Sequence, residues 1–498
     1  MTKQQRLVLI VSVLASFVAF LDGAIVNVAL PAIQNDLGGG LSVQQWIVDA
    51  YLLTLGSLIL IAGSLSDLLG RRKILKIGLW GFASASLLCA LAPSSEFLIA
   101  ARALQGAAGA LLVPSSLALI IATFSGTAQA KAIGTWTAWT GIAFVLGPLV
   151  GGILVDSASW RWIFAINILP IAVTLYLLRG IEVAKHKPTG AKVDFIGAIA
   201  CALGLGGVVY ALIEQPHYGW LNPHILPPLI IGTILLIGFL IYEKRAKYPM
   251  LQLGLFKNRN FSVGNLATVS VYAGLTASLF LLVLFLQQVA GYSALAAGMA
   301  SVPITIIMFI MSPRFGALSG KYGPRLFMGI GPIISGLGFL LLVNLGPHVN
   351  YWTQLLPTIL IFGLGLSITV APLTAAILGD VPPKQAGIAS AVNNAVSRIA
   401  GLVAVAAVGA IVASQYGSVL EKQLVACMRS DAVADLRQST LQVKPPAGKS
   451  YSHDPIILNA MSNASISAFH SGVFAVSALL ISGGFISLIG IKNPVRKK

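Results

Sequence analysis

The chain has 498 residues, of which 57% are hydrophobic and only 9% charged, and its mean hydropathy is +0.88. Soluble domains carry about 25% charged residues, so a water-soluble fold is excluded and an all-α integral membrane protein is implied. A formal net charge of +17 would suggest nucleic acid in a soluble protein, but here the placement of the charges along the chain argues against that partner.

Lys3 and Arg6 open an apolar run that continues past Asp22 to Pro31 without a cleavage site, which predicts a retained first span and not a secretory signal. Apolar stretches then predict fourteen transmembrane helices, over residues 7–30, 44–66, 74–93, 97–122, 133–155, 162–179, 194–213, 223–242, 261–287, 296–317, 326–344, 353–376, 386–413 and 467–490. With the N-terminus inside, Arg71-Arg72-Lys73-Lys76 and the basic stretches at 179–192, 244–259, 314–325 and 492–498 all fall on one side. The intervening turns carry almost no Lys or Arg, so the charge sets topology, with both termini in the cytoplasm. Cys89, Cys201 and Cys427 have neither disulfide nor metal spacing.

Two segments resemble each other: Gly63-Ser64-Leu65-Ser66-Asp67-Leu68-Leu69-Gly70-Arg71-Arg72 and Gly316-Ala317-Leu318-Ser319-Gly320-Lys321-Tyr322-Gly323-Pro324-Arg325. Both end a span and open a basic turn, as in transporters built from parallel repeats. The expected organisation is an N-terminal six-helix bundle at 1–180, a linker with two inserted helices at 181–260, and a C-terminal six-helix bundle at 261–498. A long extracytoplasmic loop is expected at 415–466, and the substrate site at the seam between the bundles.

Four motifs occur in order along the N-terminal spans: LDGAIVNVALP from Leu21, GSLSDLLGRRK from Gly63, RALQG from Arg102, and GPLVGG from Gly147 followed by WRWIF from Trp160. Over essentially its full length the chain resembles the fourteen-span drug:proton antiporter branch of the major facilitator superfamily. It departs from that pattern at Ala24, where Thr is usual, at Leu68, where a basic residue is usual, and by one extra residue in Asn167-Ile168-Leu169-Pro170. The resemblance implies a proton-coupled exporter of small amphipathic, often cationic compounds, which is multidrug efflux by alternating access, in the cytoplasmic membrane. It needs no cofactor beyond the proton gradient, and a monomer is expected.

Gly63, Asp67, Gly70, Arg71 and Arg72 form either a stop-transfer turn with ordinary inside charges or, as the resemblance implies, a gating latch. Gly147, Pro148, Gly151 and Gly152 thin the fifth helix, which suits close packing; in the resembled family the pattern accompanies antiport. Asp22, Asp49 and Arg102 are charges inside predicted hydrocarbon, roughly 14, 9 and 9 Å deep at about 1.5 Å per residue. Such charges cost at least ~2.5 kcal/mol each and form ion pathways or structural pairs, so these three are the candidates for proton coupling. Arg398 is a further intramembrane charge whose role is left open.

Trp46, Trp136, Trp139, Tyr272, Gln287, Gln288, Asn393 and Asn394 are candidates for a substrate cavity, with packing or interfacial anchoring as the alternative. Gly448-Lys449-Ser450 lacks the upstream glycine of a phosphate loop, which disfavours an ATP-driven pump, and no catalytic constellation or metal site emerges. The alternatives on the same scaffold are a dedicated exporter of one metabolite, antibiotic or lipid, or a non-transporting membrane sensor.

The charge asymmetry places Ser450 outside and Lys187 and Lys492 inside. In a background without native cysteines, a Cys at 450 should react with an impermeant maleimide in intact cells, and a Cys at 187 or 492 only after permeabilisation. Labelling at 450 that requires permeabilisation would contradict the topology.

Overall fold

The computed structural model describes residues 1–181, 193–379, 381, 385–426, 432–437, 439–443 and 454–493. Lys187, Cys427 and Ser450, with the side chain of Asp67, lie outside the described residues. Helix is the expected solution in lipid, because each backbone N–H and C=O must find its partner within its own segment.

The first nine helices are α1 (Lys3–Leu37), α2 (Leu41–Leu69), α3 (Arg71–Ala90), α4 (Ser95–Thr123), α5 (Gly126–Ser157), α6 (Trp162–Ala165), α7 (Ile168–Leu178), α8 (Phe195–Tyr218) and α9 (Leu226–Arg245). They are followed by α10 (Arg259–Gln288), α11 (Ala294–Tyr322), α12 (Pro324–Leu340), α13 (Leu356–Gly379), α14 (Ala386–Ala426), α15 (Val433–Leu436) and α16 (Pro455–Gly490). Among the described residues, thirteen helices are long and apolar enough to cross a membrane.

One sequence expectation is met with an irregularity and one needs correction. The span expected at 162–179 is an apolar helical stretch, Trp162–Leu178, divided into α6 and α7 by a turn at Ile166 and Asn167, both of which keep right-handed helical dihedral angles. Pro170 has no N–H to offer the Ile166 carbonyl four residues earlier, so the helix loosens there. The loop expected at 415–466 is shorter, because α14 continues to Ala426 and α16 begins at Pro455. Asp454 caps α16, accepting a hydrogen bond from the Ile456 N–H at 3.0 Å, with Pro455 at the first helical position. The start of α16 is set by this cap beyond the apolar run, where hydropathy gives no signal.

Contacts divide the chain into two compact units, one of residues 1–32, 47–208 and 228–253, the other of residues 33–46, 209–227 and 254–498. In the first, α3 packs along α4 and against α6 and α7, and α5 meets α4. Glycine allows the closest approaches. A Cβ at Gly147 would lie 2.7 Å from the Ala24 Cβ, and one at Gly151 would lie 2.6 Å from Ile25 Cγ1, so α5 rests directly on α1. α8 and α9 meet in the same way, a Cβ at Gly207 falling 2.6 Å from the Pro228 carbonyl oxygen. Outward, Ile230, Ile234, Ile237 and Ile241 of α9 are exposed, as suits a lipid-facing helix.

In the second unit α10 packs on α14 and α16, α12 on α13 and α16, and α11 on α13. Phe285 and Phe469 stack with centroids 3.7 Å apart at its core. The two repeat segments have matching geometry. Gly70 (φ 95°) and Gly323 (φ 90°) hold the left-handed conformation at the turn before α3 and α12. Two residues on, Arg72 donates to the Arg179 carbonyl at 3.2 Å, and Arg325 donates to the Leu488 carbonyl at 2.6 Å. Each arginine thus serves the negative C-terminal end of a helix of its own unit, α7 or α16.

Gly147→Ala should lower the melting temperature of the detergent-purified protein, by the equivalent of about 1–3 kcal/mol, since overpacking must displace α1 or α5. Gly141→Ala, where a Cβ meets nothing within 4 Å, should leave it unchanged.

Candidate functional site

The first unit gathers a polar cluster in its apolar interior. Asp22 on α1 and Arg102 on α4 form an ion pair through Oδ2 and Nη1, and the two side chains are 0% and 1% exposed. The other Asp22 oxygen accepts from Gln105 Nε2 and from Asn167 Nδ2, both at 2.8 Å. The carboxylate therefore has three donors, from α4 and from the break between α6 and α7. Gln105 also donates to Ser86 Oγ of α3 at 2.8 Å and accepts from Arg102 Nη1 at 2.6 Å.

Arg102 is held from the α2 side as well. Its Nε donates to the Ile47 carbonyl at 3.1 Å, and its guanidinium lies 4.3 Å from the Tyr51 ring centroid and 5.7 Å from that of Phe164. Tyr51 is fixed in turn by donating to the Ala19 carbonyl at 3.1 Å. Gly106 permits this assembly, because a Cβ there would overlap the Tyr51 carbonyl oxygen. The pair thus has the dense hydrogen bonding that a buried charge requires.

Asp49 on α2 is in a different state. It is 0% exposed, and neither carboxylate oxygen has a hydrogen-bond partner among the described residues. The structure brings Asp22 and Arg102 together and leaves Asp49 separate from their hydrogen-bond network. Ionised, it would be an uncompensated charge in a low-dielectric interior; a bound proton removes that charge.

The remaining candidates divide between the units. In the first, Gly63 faces open space, Arg72 reaches the end of α7, and Gly147 and Gly151 pack on α1; Pro148 and Gly152 continue that segment of α5. Trp136 is buried and donates to Ser16 Oγ at 3.0 Å, which lies 2.6 Å from Ser116 Oγ, whereas Trp139 is exposed. In the second, Trp46 donates to Glu214 Oε1 at 2.9 Å, and Gln288 donates to Gln34 at 2.8 Å. Asn393 bonds Asn265 and Thr268, Asn394 bonds the Ser390 carbonyl, and Tyr272 lies within electrostatic reach of Arg398. A cavity of about 750 Å³ in that unit is lined instead by residues including Gln45, Gln215, His217, Glu421, Lys422 and Arg437, and by none of the eight cavity candidates.

Sequence reasoning passed over Gln105, Asn167, Ser86 and Tyr51 as site residues. Gln105 follows Arg102 by three positions, which puts both on one helix face, and Asn167 is a lone amide in an apolar stretch; both signals were available.

A buried charge cluster in an all-helical chain with many apolar spans suits an ion pathway or a structural pair, and comparison with known proteins specifies the family. The family model of the Major Facilitator Superfamily matches residues 12–405, and the chain belongs to that family. It is 36% identical to the methylenomycin A resistance protein of Bacillus subtilis (strain 168) over 408 residues, 81% of this chain and 87% of that protein. It is 31% identical to the multidrug transporter protein MdtP of the same organism, covering 99% of this chain and 95% of that protein. The fold matches a bacterial homologue of the human lysosomal transporter Spinster with a TM-score of 0.64 at 16% identity, covering 99% of this chain and 100% of that one.

Arg102→Leu should destabilise the protein by about 3–5 kcal/mol, because it leaves the Asp22 charge buried without its cation. Adding Asp22→Asn to that variant should restore much of the loss, as measured by thermal unfolding in detergent. Equal or additive losses would show that the charge pair is not the source of the stability.

Proposed function

We propose that the protein is a proton-coupled antiporter that exports small amphipathic, often cationic compounds across the cytoplasmic membrane, with both termini in the cytoplasm. The observation that carries this reading is the contrast between two fully buried carboxylates of one unit: Asp22 has three donors, and Asp49 has none. Two titratable groups in opposed environments suit a site that takes up a proton in one state and yields it in another.

Protonation of Asp22 would cancel the charge that holds Arg102 and free its guanidinium to seek another acceptor. Proton binding would thereby change the contacts among α1, α2 and α4, which is how a chemical event becomes a conformational one. Asp49 would hold a second proton. One proton exchanged for one monovalent cation is electroneutral and draws about 1.4 kcal/mol per pH unit. A second proton adds that amount again and moves a net charge worth ~2.3 kcal/mol per 100 mV.

In this reading no cofactor takes part, the working unit is a monomer, and the Gly63 to Arg72 segment, with Asp67, gates the cycle. The aromatic and amide residues Trp46, Trp136, Trp139, Tyr272, Gln287, Gln288, Asn393 and Asn394 remain the proposed contacts for substrate. A dedicated exporter of a single antibiotic is the second reading, favoured by the likeness to a protein named for resistance to methylenomycin A. The likeness to MdtP over nearly the whole chain favours the multidrug reading.

A panel of compounds added to inverted vesicles, with a dye reporting the pH gradient, tests both. Dequenching by many unrelated cations supports multidrug export, and by one compound the dedicated exporter; no response to any would contradict proton coupling. Asp22→Asn should abolish proton-driven export, Asp49→Asn should weaken export of cations more than of neutral compounds, and Arg102→Ala should uncouple. Asp67→Asn should slow transport more than it weakens binding, as expected of a gate.

A further inference from the structure

Away from that cluster, the first unit buries a second pair of acidic side chains. Asp194 precedes α8 and caps it, accepting from the Gly197 N–H through Oδ1 at 2.8 Å. Glu243 lies near the end of α9, and its Oε2 accepts from the Leu251 N–H at 3.0 Å, which folds the following chain back onto the helix. The residues are 8% and 2% exposed.

The other oxygen of each, Asp194 Oδ2 and Glu243 Oε1, has no partner with a fixed hydrogen among the described residues. Both crowd one point: a Cβ at Gly197 would lie 2.7 Å from the first and 2.6 Å from the second. The absent side chain of Gly197 is what leaves room for two carboxyl groups to meet. Two ionised groups so placed would set like charges against each other out of water. A single proton between them turns that repulsion into a strong O–H···O hydrogen bond.

We propose that Asp194 and Glu243 form a proton-binding site separate from the Asp22 cluster, in which one shared proton clasps the start of α8, the end of α9 and the chain at 250–251. The titratable groups facing it are the Tyr242 hydroxyl, beside Asp194, and the Cys201 thiol of α8, within reach of Glu243. Lys244, Arg245 and Lys247 follow in sequence, but no ion pair among the described residues joins them to either carboxyl group. The site responds to the proton concentration on the side of the basic linkers, and it does not depend on the transport reading above.

The folded protein then binds a proton that the unfolded chain releases, so the clasp stabilises at low pH and is lost as pH rises. Melting temperatures of the purified full-length protein, measured from pH 6 to pH 9, test this. The wild type should lose several degrees toward alkaline pH relative to Glu243→Gln, whose amide N–H donates to Asp194 without a titrating proton. Asp194→Asn, which keeps the capping oxygen, should flatten the profile in the same way and guards against a folding defect of the first variant. Trypsin cleavage after Lys247 should accelerate with pH in the wild type, measured against a control substrate, and much less in either variant. Parallel profiles for all three proteins would overturn the proposal. So would stabilisation of the wild type at alkaline pH by added sodium, potassium or calcium that both variants lose, because the site would then hold a metal cation.

Discussion

Taking a carboxylate and a guanidinium out of water costs several kcal/mol per ion, and Asp22 and Arg102 are both almost completely buried. Their contact alone does not offset that cost; the surrounding hydrogen bonds must complete it. Gln105, Asn167, Ser86 and the Ile47 carbonyl do so, and they come from α2, α3, α4 and the α6–α7 break. The need to satisfy one ion pair therefore specifies how the helices around it are rotated and how deep each sits. This polar centre and the close glycine contacts together constrain the arrangement.

The same constraint accounts for the departures from ideal helices. The turn at Ile166 and Asn167 carries the amide that donates to Asp22, and Gly106 lets α4 approach α2 closely enough for Tyr51 to cover the guanidinium. Gly147 and Gly151 bring α5 onto α1 beside Ala24 and Ile25, two and three residues from Asp22. A proton on Asp22 would thus alter a contact on which several helices depend at once. Asp49, with no hydrogen-bond partner among the described residues, imposes no such geometry, which suits a group that changes charge without dismantling its surroundings.

Much of this was legible in the sequence. Hydropathy located the spans because their length is set by membrane thickness, and Asp22 and Arg102 stood out because a charge in an apolar run is costly. The Gly70 and Gly323 turns were recognisable as a repeat, and the two arginines that follow make equivalent contacts. The broken sixth span was hidden, since hydropathy averages over Pro170. The extension of α14 to Ala426 and the start of α16 were hidden as well, because they lie past the apolar runs. Gln105 and Asn167 escaped notice because uncharged amides are tolerated at many positions, and only the fold shows that both aim at one carboxylate. Tryptophan and asparagine serve packing as readily as recognition, and Trp136 and Asn393 illustrate the difficulty, since both spend their N–H groups on hydrogen bonds to neighbouring helices.

In the proposed mechanism Asp22 and Asp49 carry the protons exchanged for substrate, so binding of a cationic substrate should displace them. The most direct test is proton release on binding: purified protein in weakly buffered detergent solution, a pH indicator, and addition of a transported lipophilic cation. The wild type should release protons in proportion to the cation bound, and the Asp22→Asn, Asp49→Asn double variant should bind without releasing any. Undiminished release from the double variant would place the coupling protons elsewhere and contradict the account.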